Sequence, residues 1–342
     1  MKLKYHVEIV DLLRYGSQKA ISSVWGRFSL TKNIASSFFI KKYAKSFTCP
    51  PRSIAHFHYV QPVYSSVIHT LKSKFRKIVL TFWGSDLLKA TNFELDHQLK
   101  KLVICADCIS FETKEMQEKF LSHYPLLASK CRLSRFGLPV LQEIAETTIS
   151  SKEKFMTRFG IPNDKYLVLV GYNKAKNQQH LEVVKSFEKV KHLLRNCCFI
   201  IPWSYGEDDE QYRASIESLF LSMKLDCLFL TPFLDTSETA NLRCITDVLV
   251  QVQLTDSFSA SMVETLYAGR TVITGDWLPY QLLYDNGVYM PQVASPADVG
   301  EKLVEVLSTQ DEIQAKSEAN KDAVYQLSSW ETNIVSWKRL YE

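Results

Sequence analysis

The sequence predicts an α/β protein built from two Rossmann-like, doubly wound domains that face each other across a cleft. Three observations carry that expectation. Short apolar runs alternate with amphipathic helical segments along the whole chain, the pattern of parallel sheets whose strands are joined by helices. At 342 residues the chain is too long for one ordinary doubly wound domain and suits two, each with its own core. Near the middle, Leu138-Pro-Val gives way to the polar run Glu146-Thr-Thr-Ile-Ser-Ser-Lys-Glu153, which reads as a join.

In chain order, the first half offers strands at His6–Val10, Ser53–Tyr59, Lys77–Phe82, Val103–Ser110 and a short one near Arg132–Phe136. The second half offers Tyr166–Gly171, Cys198–Pro202, Cys227–Thr231, Asp247–Gln253, Thr271–Thr274 and Val288–Met290, with helices such as Asn177–Leu194 and Glu210–Met223 between them. The expected division is a first domain over residues 1–140, a linker over 141–153 and a second domain over 154–325. A C-terminal helix over 326–342 is expected to pack back on the first domain. Ligands of such folds bind at the carboxyl ends of the strands.

A hydrophobic fraction of 46% with 23% charged residues is that of a globular chain and excludes a disordered one. No apolar run reaches the eighteen or so residues of a membrane span, and Met1–Glu8 lacks the apolar core and cleavage site of a signal peptide. A cytoplasmic protein is expected. The eight cysteines are scattered through expected strands and helices, which suits reduced, buried thiols. Cys105-Ala-Asp-Cys108 has no second ligand pair at zinc spacing, so no metal site is expected.

Charge divides the chain. Residues 1–150 carry 22 Lys and Arg against 11 Asp and Glu, a net +11, while residues 151–342 carry 19 against 26, a net −7. A basic half suits an anionic membrane, a phosphorylated substrate or nucleic acid. Leu30–Phe47 mixes Ile34, Phe38, Tyr43 and Phe47 with Lys32, Lys41, Lys42 and Lys45. That segment reads equally as an amphipathic helix lying on anionic lipid and as a surface helix with its apolar face in the core. Nucleic acid is disfavoured, because no binding module is present and aromatics do not interleave with the basic residues.

The segment Asp256-Ser-Phe-Ser-Ala-Ser-Met-Val-Glu264 follows an expected strand and opens an expected helix, Ser261–Ala268, with Gly269 as the residue after its end. Unpaired N–H groups and the helix dipole favour an anion there, so Ser257, Phe258, Ser259, Ala260 and Ser261 are candidates to cradle a diphosphate. Glu264, one turn in, can accept hydrogen bonds from a ribose diol, and Asp256 is placed to face neighbouring sugar hydroxyls. Ser261-Met-Val-Glu264 also fits a capping box, with Ser at the N-cap and Glu three residues on, which requires no ligand.

Asp256 and Glu264, with seven residues between them and followed by Thr-Leu-Tyr-Ala-Gly-Arg-Thr-Val-Ile, resemble the E-x7-E motif of retaining GT-B glycosyltransferases of the family 4 (group 1) type. In that family the first acid lies by the donor sugar, the second binds the nucleotide ribose, and the small residues between them hold the diphosphate. The resemblance extends to Phe159–Gly171 and on to His180-Leu-Glu as the start of the donor domain. Thr231-Pro-Phe-Leu-Asp is similar to the loop that clasps the base, through Phe233 and Leu234. In the first half, His56-Phe-His-Tyr, Leu80-Thr-Phe-Trp-Gly-Ser-Asp86, Val103–Thr113 and Arg135-Phe-Gly-Leu-Pro139 resemble acceptor-domain segments. Trp-Gly-Ser-Asp and Ile201-Pro-Trp-Ser-Tyr-Gly206 resemble bacterial transferases that assemble capsule, exopolysaccharide or enterobacterial-antigen repeat units.

The chain departs from that family at four points. The first acid is Asp256, one methylene shorter than Glu. The usual phosphate-gripping Arg and Lys are Tyr172 and Asn177, which leaves Lys174 and Lys176 to supply the charge, with Gly171 and Asn173 beside them as donor-side candidates. The usual His-Gly of the acceptor domain is Trp83-Gly84. No counterpart of the usual first strand and its glycine-rich loop precedes His6, so the first domain is expected to lack that strand or the sequence to lack an amino-terminal piece.

The resemblance implies transfer of a sugar from a nucleotide-diphosphate sugar, without a metal cofactor, to a lipid-linked saccharide acceptor at the cytoplasmic membrane face. Asp86, His58 and Asp256 are the expected catalytic residues: Asp86 and His58 on the acceptor side orient the sugars, or serve as base if the reaction instead inverts, and Asp256 is the acid by the donor sugar. Trp83, Gly84 and Ser85 line the acceptor side in this reading, and Trp203 is a further stacking candidate. The competing expectation is a non-catalytic relative that binds or scaffolds.

Overall fold

In a computed structural model, residues 40–342 are described. The expected strand His6–Val10 and most of the Leu30–Phe47 segment lie outside them; residues 40–46 are helical. The chain divides into two compact units, one running to Leu133 and including Lys338–Glu342, the other Ser134–Trp337.

Among the described residues the first unit holds a parallel sheet of β1 (Ile54–His58), β2 (Lys77–Thr81), β3 (Cys108–Phe111) and β4 (Cys131–Leu133), laid side by side in chain order. Ile54 pairs with Lys77, Val79 with Cys108 and Ile109 with Cys131. Phe82, Phe111 and Phe120 cluster in the core with ring centroids 5.1 to 5.7 Å apart. The expected strand Val103–Ser110 is corrected to a helix, Lys100–Cys105, followed by a strand that begins only at Cys108. Leu99, Leu102, Val103 and Ala106 are all buried, and their 3–4 spacing is a helical stripe. Asp107 then breaks the run by accepting Ile78 N–H at 2.8 Å.

The second unit's sheet is also parallel: β5 (Tyr166–Val170), β6 (Cys197–Pro202), β7 (Asp226–Leu230), β8 (Val248–Gln251), β9 (Thr271–Gly275) and β10 (Gln292–Val293), in the order β10-β9-β8-β5-β6-β7. The chain starts in the middle at β5, winds outward through β6 and β7, and returns to build the other half from β8. That reversal puts a topological switch point between β5 and β8, where the loops on either side diverge and leave a crevice. Leu167 and Leu169 of β5 enter one core layer and Val168 and Val170 the other, the two-sided burial that makes such strands read as continuous apolar runs.

Three further expectations are corrected. Val288–Met290 is not a strand; the edge strand is Gln292–Val293. Asn177–Leu194 is a 3-10 turn, Lys176–Gln178, followed by a short helix, His180–Ser186, and turns. Residues 141–153 are not a linker: helices Val140–Glu146 and Ile149–Phe159 occupy them, with Leu141, Ile144 and Phe155 buried in the second unit's core. Thr148 and Ser151 form a capping box that starts the second of these helices, so the polarity that reads as a join is cap chemistry. The C-terminal helix, Trp330–Tyr341, packs on Gly137, where a Cβ would lie 2.4 Å from Trp330. Its last turn belongs to the first unit, where Tyr341 OH meets His56 Nδ1 at 2.9 Å. No helix among the described residues is long and apolar enough to cross a membrane.

Candidate active site

The connection after β8 opens the helix Ala260–Tyr267, and its N-cap is Ser259, two residues earlier than the capping box requires. Ser259 makes no side-chain cap bond. Ser261 Oγ is buried with no hydrogen-bond partner among the described residues, and Glu264 does not reach back to the cap. Its Oε2 accepts Arg243 Nε–H at 3.0 Å. The capping box therefore does not account for the Ser and the Glu, and Gly269, at φ 72°, does end the helix region as expected. With Ser259 as N-cap, the N–H groups of Ala260, Ser261 and Met262 have no intrahelical acceptor.

Arg243 and Glu264 are an enclosed ion pair, 7% and 6% exposed. Burial raises the Glu264 carboxyl while Arg243 opposes the rise. Arg243 Nη1 has no acceptor among the described residues, and an unmet donor at such a depth costs about 1–3 kcal/mol. Both residues line a cavity of about 350 Å³ together with Ser259, Ala260, Ser261 and Tyr205. Sequence reasoning did not select Arg243. The signal was an arginine set among Ala240, Leu242 and Ile245 on the buried side of the helix Thr236–Ile245, where a charge is rarely found unpaired.

Phe233 and Leu234 also line this cavity, as expected of a base-clasping loop, and Phe233 is 80% exposed. Asp235 beside them caps the Thr236–Ile245 helix in a reciprocal box with Glu238. Phe258 and Ser257 are buried instead, Phe258 as part of the core.

The loop after β5 answers differently. Gly171 has φ +66°, and a Cβ there would lie 2.9 Å from Gln178 Oε1 and 3.0 Å from His180 Nε2, so glycine is required for close packing. Asn173 Oδ1 accepts Ala175 N–H at 2.9 Å and shapes the turn. Lys174 and Lys176 pair with Asp208 and Asp209 on the loop after β6, Lys176 at 2.7 Å. The enclosed cation at the cavity is Arg243.

Asp256 is engaged by its own surroundings. Its Oδ2 accepts Ser259 N–H at 3.1 Å and the Tyr280 hydroxyl, and Gln253 and Ser257 N–H add further donors. Burial raises its pKa against these bonds. In the first unit Asp86 is treated alike: Oδ1 accepts Trp83 N–H at 2.8 Å and Gly84 N–H at 3.0 Å, and Oδ2 accepts Val60 N–H at 2.7 Å. Each acid organises a turn at a strand's carboxyl end. Gly84, at φ 120°, is a conformation only glycine adopts readily.

Around that first-unit turn, Trp83 Nε1 donates to His58 Nδ1 at 3.2 Å, and Tyr59 OH meets Ser85 Oγ at 3.0 Å. His58 and His56 rings lie 4.0 Å apart. Burial lowers both, His56 to about 3, so the pair is neutral near pH 7. His58, Trp83, Gly84 and Ser85 thus gather with Asp86 at one end of the first sheet, while the donor-side candidates gather in the second unit. Trp203 is 7% exposed and packs in the second unit's core.

No family model matches this chain, and no curated protein does. Solved structures do. A glycosyltransferase from Rickettsia africae superposes with a TM-score of 0.70 at 16% identity, covering 92% of this chain and 82% of that one. Anabaena HepE, solved in complex with UDP-glucose, superposes at 0.72 with 12% identity over 90% and 82%. A trehalose-phosphate synthase from Burkholderia xenovorans, solved with glucose-6-phosphate, gives 0.70 at 12% over 97% and 82%. The fold is GT-B. Two parallel α/β units, the second with its reversal beside the candidate cavity, are what the likeness covers.

Proposed function

We propose that the protein is a glycosyltransferase that takes a sugar from a nucleotide-diphosphate donor. One observation carries the reading: the Arg243–Glu264 pair in a cavity at the amino end of the Ala260–Tyr267 helix, beside the switch point. Glu264 keeps Oε1 for a ribose hydroxyl, Arg243 and the Ala260–Met262 amides meet phosphate oxygens, and Phe233 and Leu234 cover the base. Structural neighbours solved with UDP-glucose and glucose-6-phosphate support a nucleotide sugar as donor and a saccharide as acceptor.

Charge builds on the diphosphate as the glycosidic bond breaks, so fixed donors there stabilise the transition state more than the ground state. In this reading the acceptor hydroxyl attacks the face that the diphosphate leaves, and a departing phosphate oxygen takes the proton. Configuration is then retained without an enzyme base, which agrees with Asp86 and Asp256 being committed to backbone donors. His58, Trp83 and Ser85 are the acceptor-side groups. The acceptor is a lipid-linked saccharide in bacterial surface polysaccharide synthesis, and the basic first half rests on the anionic membrane. The resemblance of the Trp83–Asp86 segment and the net +11 of residues 1–150 support this finer part.

A second reading, a binding or scaffold subunit, is favoured by Lys174 and Lys176 being paired away on Asp208 and Asp209. Thermal unfolding with UDP-, GDP-, ADP-, dTDP- and CMP-linked sugars tests the proposal, because a ligand of the folded state raises Tm. A rise with one nucleotide, followed by sugar release or transfer, is expected. Binding without turnover supports the scaffold, and no rise with any donor sinks the nucleotide-sugar reading.

A further inference from the structure

The loop that follows β9 grips the connection after β8 at two points. Trp277 Nε1 donates to the Gln253 carbonyl at 2.9 Å, and its ring is seated over Gly275, where a Cβ would lie 2.5 Å from the indole. Tyr280, fully buried, donates its hydroxyl to Asp256 Oδ2 and accepts from Gln251 and Gln253 side chains at 3.4 and 3.3 Å. Asp256 Oδ2 also accepts Ser259 N–H. A continuous chain of hydrogen bonds therefore runs from Tyr280 through Asp256 to the N-cap of the helix whose first residues, Ala260 and Ser261, line the cavity.

We propose that Tyr280 is a positioning residue: acting through Asp256, and helped by Trp277, it fixes the Ser257–Ser261 turn in the form that receives the diphosphate. The inference rests on the nucleotide-sugar reading above and deepens it. Ser261 Oγ and Arg243 Nη1, both enclosed at this cavity without partners among the described residues, mark where the turn has donors to offer. Amides held in advance bind an anion without the cost of ordering the loop at the moment of binding. Tyr280 touches no part of a ligand in this arrangement, so its removal acts on phosphate recognition and leaves the base pocket at Phe233 and Leu234 as it is.

The test compares nucleoside diphosphates with their nucleosides: UDP, GDP, ADP and dTDP against uridine, guanosine, adenosine and thymidine, titrated into wild-type, Tyr280→Phe and Trp277→Phe protein. For the nucleotide that binds, the diphosphate's advantage over its nucleoside is expected to fall by about tenfold or more in Tyr280→Phe, with nucleoside affinity within about twofold. Trp277→Phe keeps an aromatic ring on Gly275 and is expected to shift the same ratio less. An unchanged ratio in Tyr280→Phe, with only a lower Tm, overturns the inference and leaves Tyr280 as core packing. Wild-type protein that binds no nucleotide at all overturns the underlying reading and the inference with it.

Discussion

Arg243 and Glu264 show how one enclosed pair links stability to chemistry. Two charges at 3.0 Å in a nearly closed site help each other only while both remain, because either one alone is a buried, unmet ion. Arg243→Met or Glu264→Gln is expected to cost about 3–5 kcal/mol each, and the double variant distinctly less than their sum. Urea unfolding of the four proteins measures this, and strict additivity would show that the two side chains do not interact. Sequence reasoning reached Glu264 because motif spacing pointed to it. The pairing of Arg243 with Glu264 was illegible, since the two lie 21 positions apart and only folding brings their helices together.

At the scale of elements, the turn after β5 and the short helix His180–Ser186 set the edge of the switch point. His180 is wholly buried against Trp203 and Tyr212, with ring centroids at 5.5 and 6.1 Å. Burial lowers its pKa from 6.5 to about 4. The folded protein thus binds fewer protons than the unfolded chain between those values, so stability is full above pH 6.5 and falls as pH drops toward 4. The loss is on the order of 3 kcal/mol for this side chain. Unfolding midpoints from pH 7.5 to 4.5 are expected to fall more steeply for wild type than for His180→Phe; parallel curves would mean that His180 takes up its proton equally in the folded and unfolded states. The sequence marks this region as one long helix, Asn177–Leu194, because its apolar residues fit that period. Gln179, at a left-handed φ of 58°, separates the 3-10 turn from the helix instead.

Across the whole molecule the net +11 of the first 150 residues against −7 for the rest is a property that composition alone displays. Co-sedimentation with vesicles rich in phosphatidylglycerol is expected at low ionic strength and lost by about 0.5 M salt, where the Debye length falls well below 10 Å. Equal binding to neutral phosphatidylcholine vesicles would remove charge as the cause. Parallel β strands buried on both faces leave long apolar runs, so most were legible within a residue or two: β5, β6 and β7 lie where Tyr166–Gly171, Cys198–Pro202 and Cys227–Thr231 were expected. The shortest edge strand is not legible in this way. β10 has two residues, too few for any periodicity.

The class of fold, most strand positions, the Glu210–Met223 helix and the segment on which the candidate site is built were legible before folding, because local hydrophobic period and motif spacing are written in consecutive residues. Which polar groups are occupied depends on the folded arrangement. Asp86 and Asp256 are taken up by backbone and tyrosine donors, Lys174 and Lys176 by the Asp208–Asp209 loop, and Arg243 is delivered to Glu264. A charged side chain's role depends on the partners that distant segments bring within about 3 Å, and no reading of neighbouring residues supplies them.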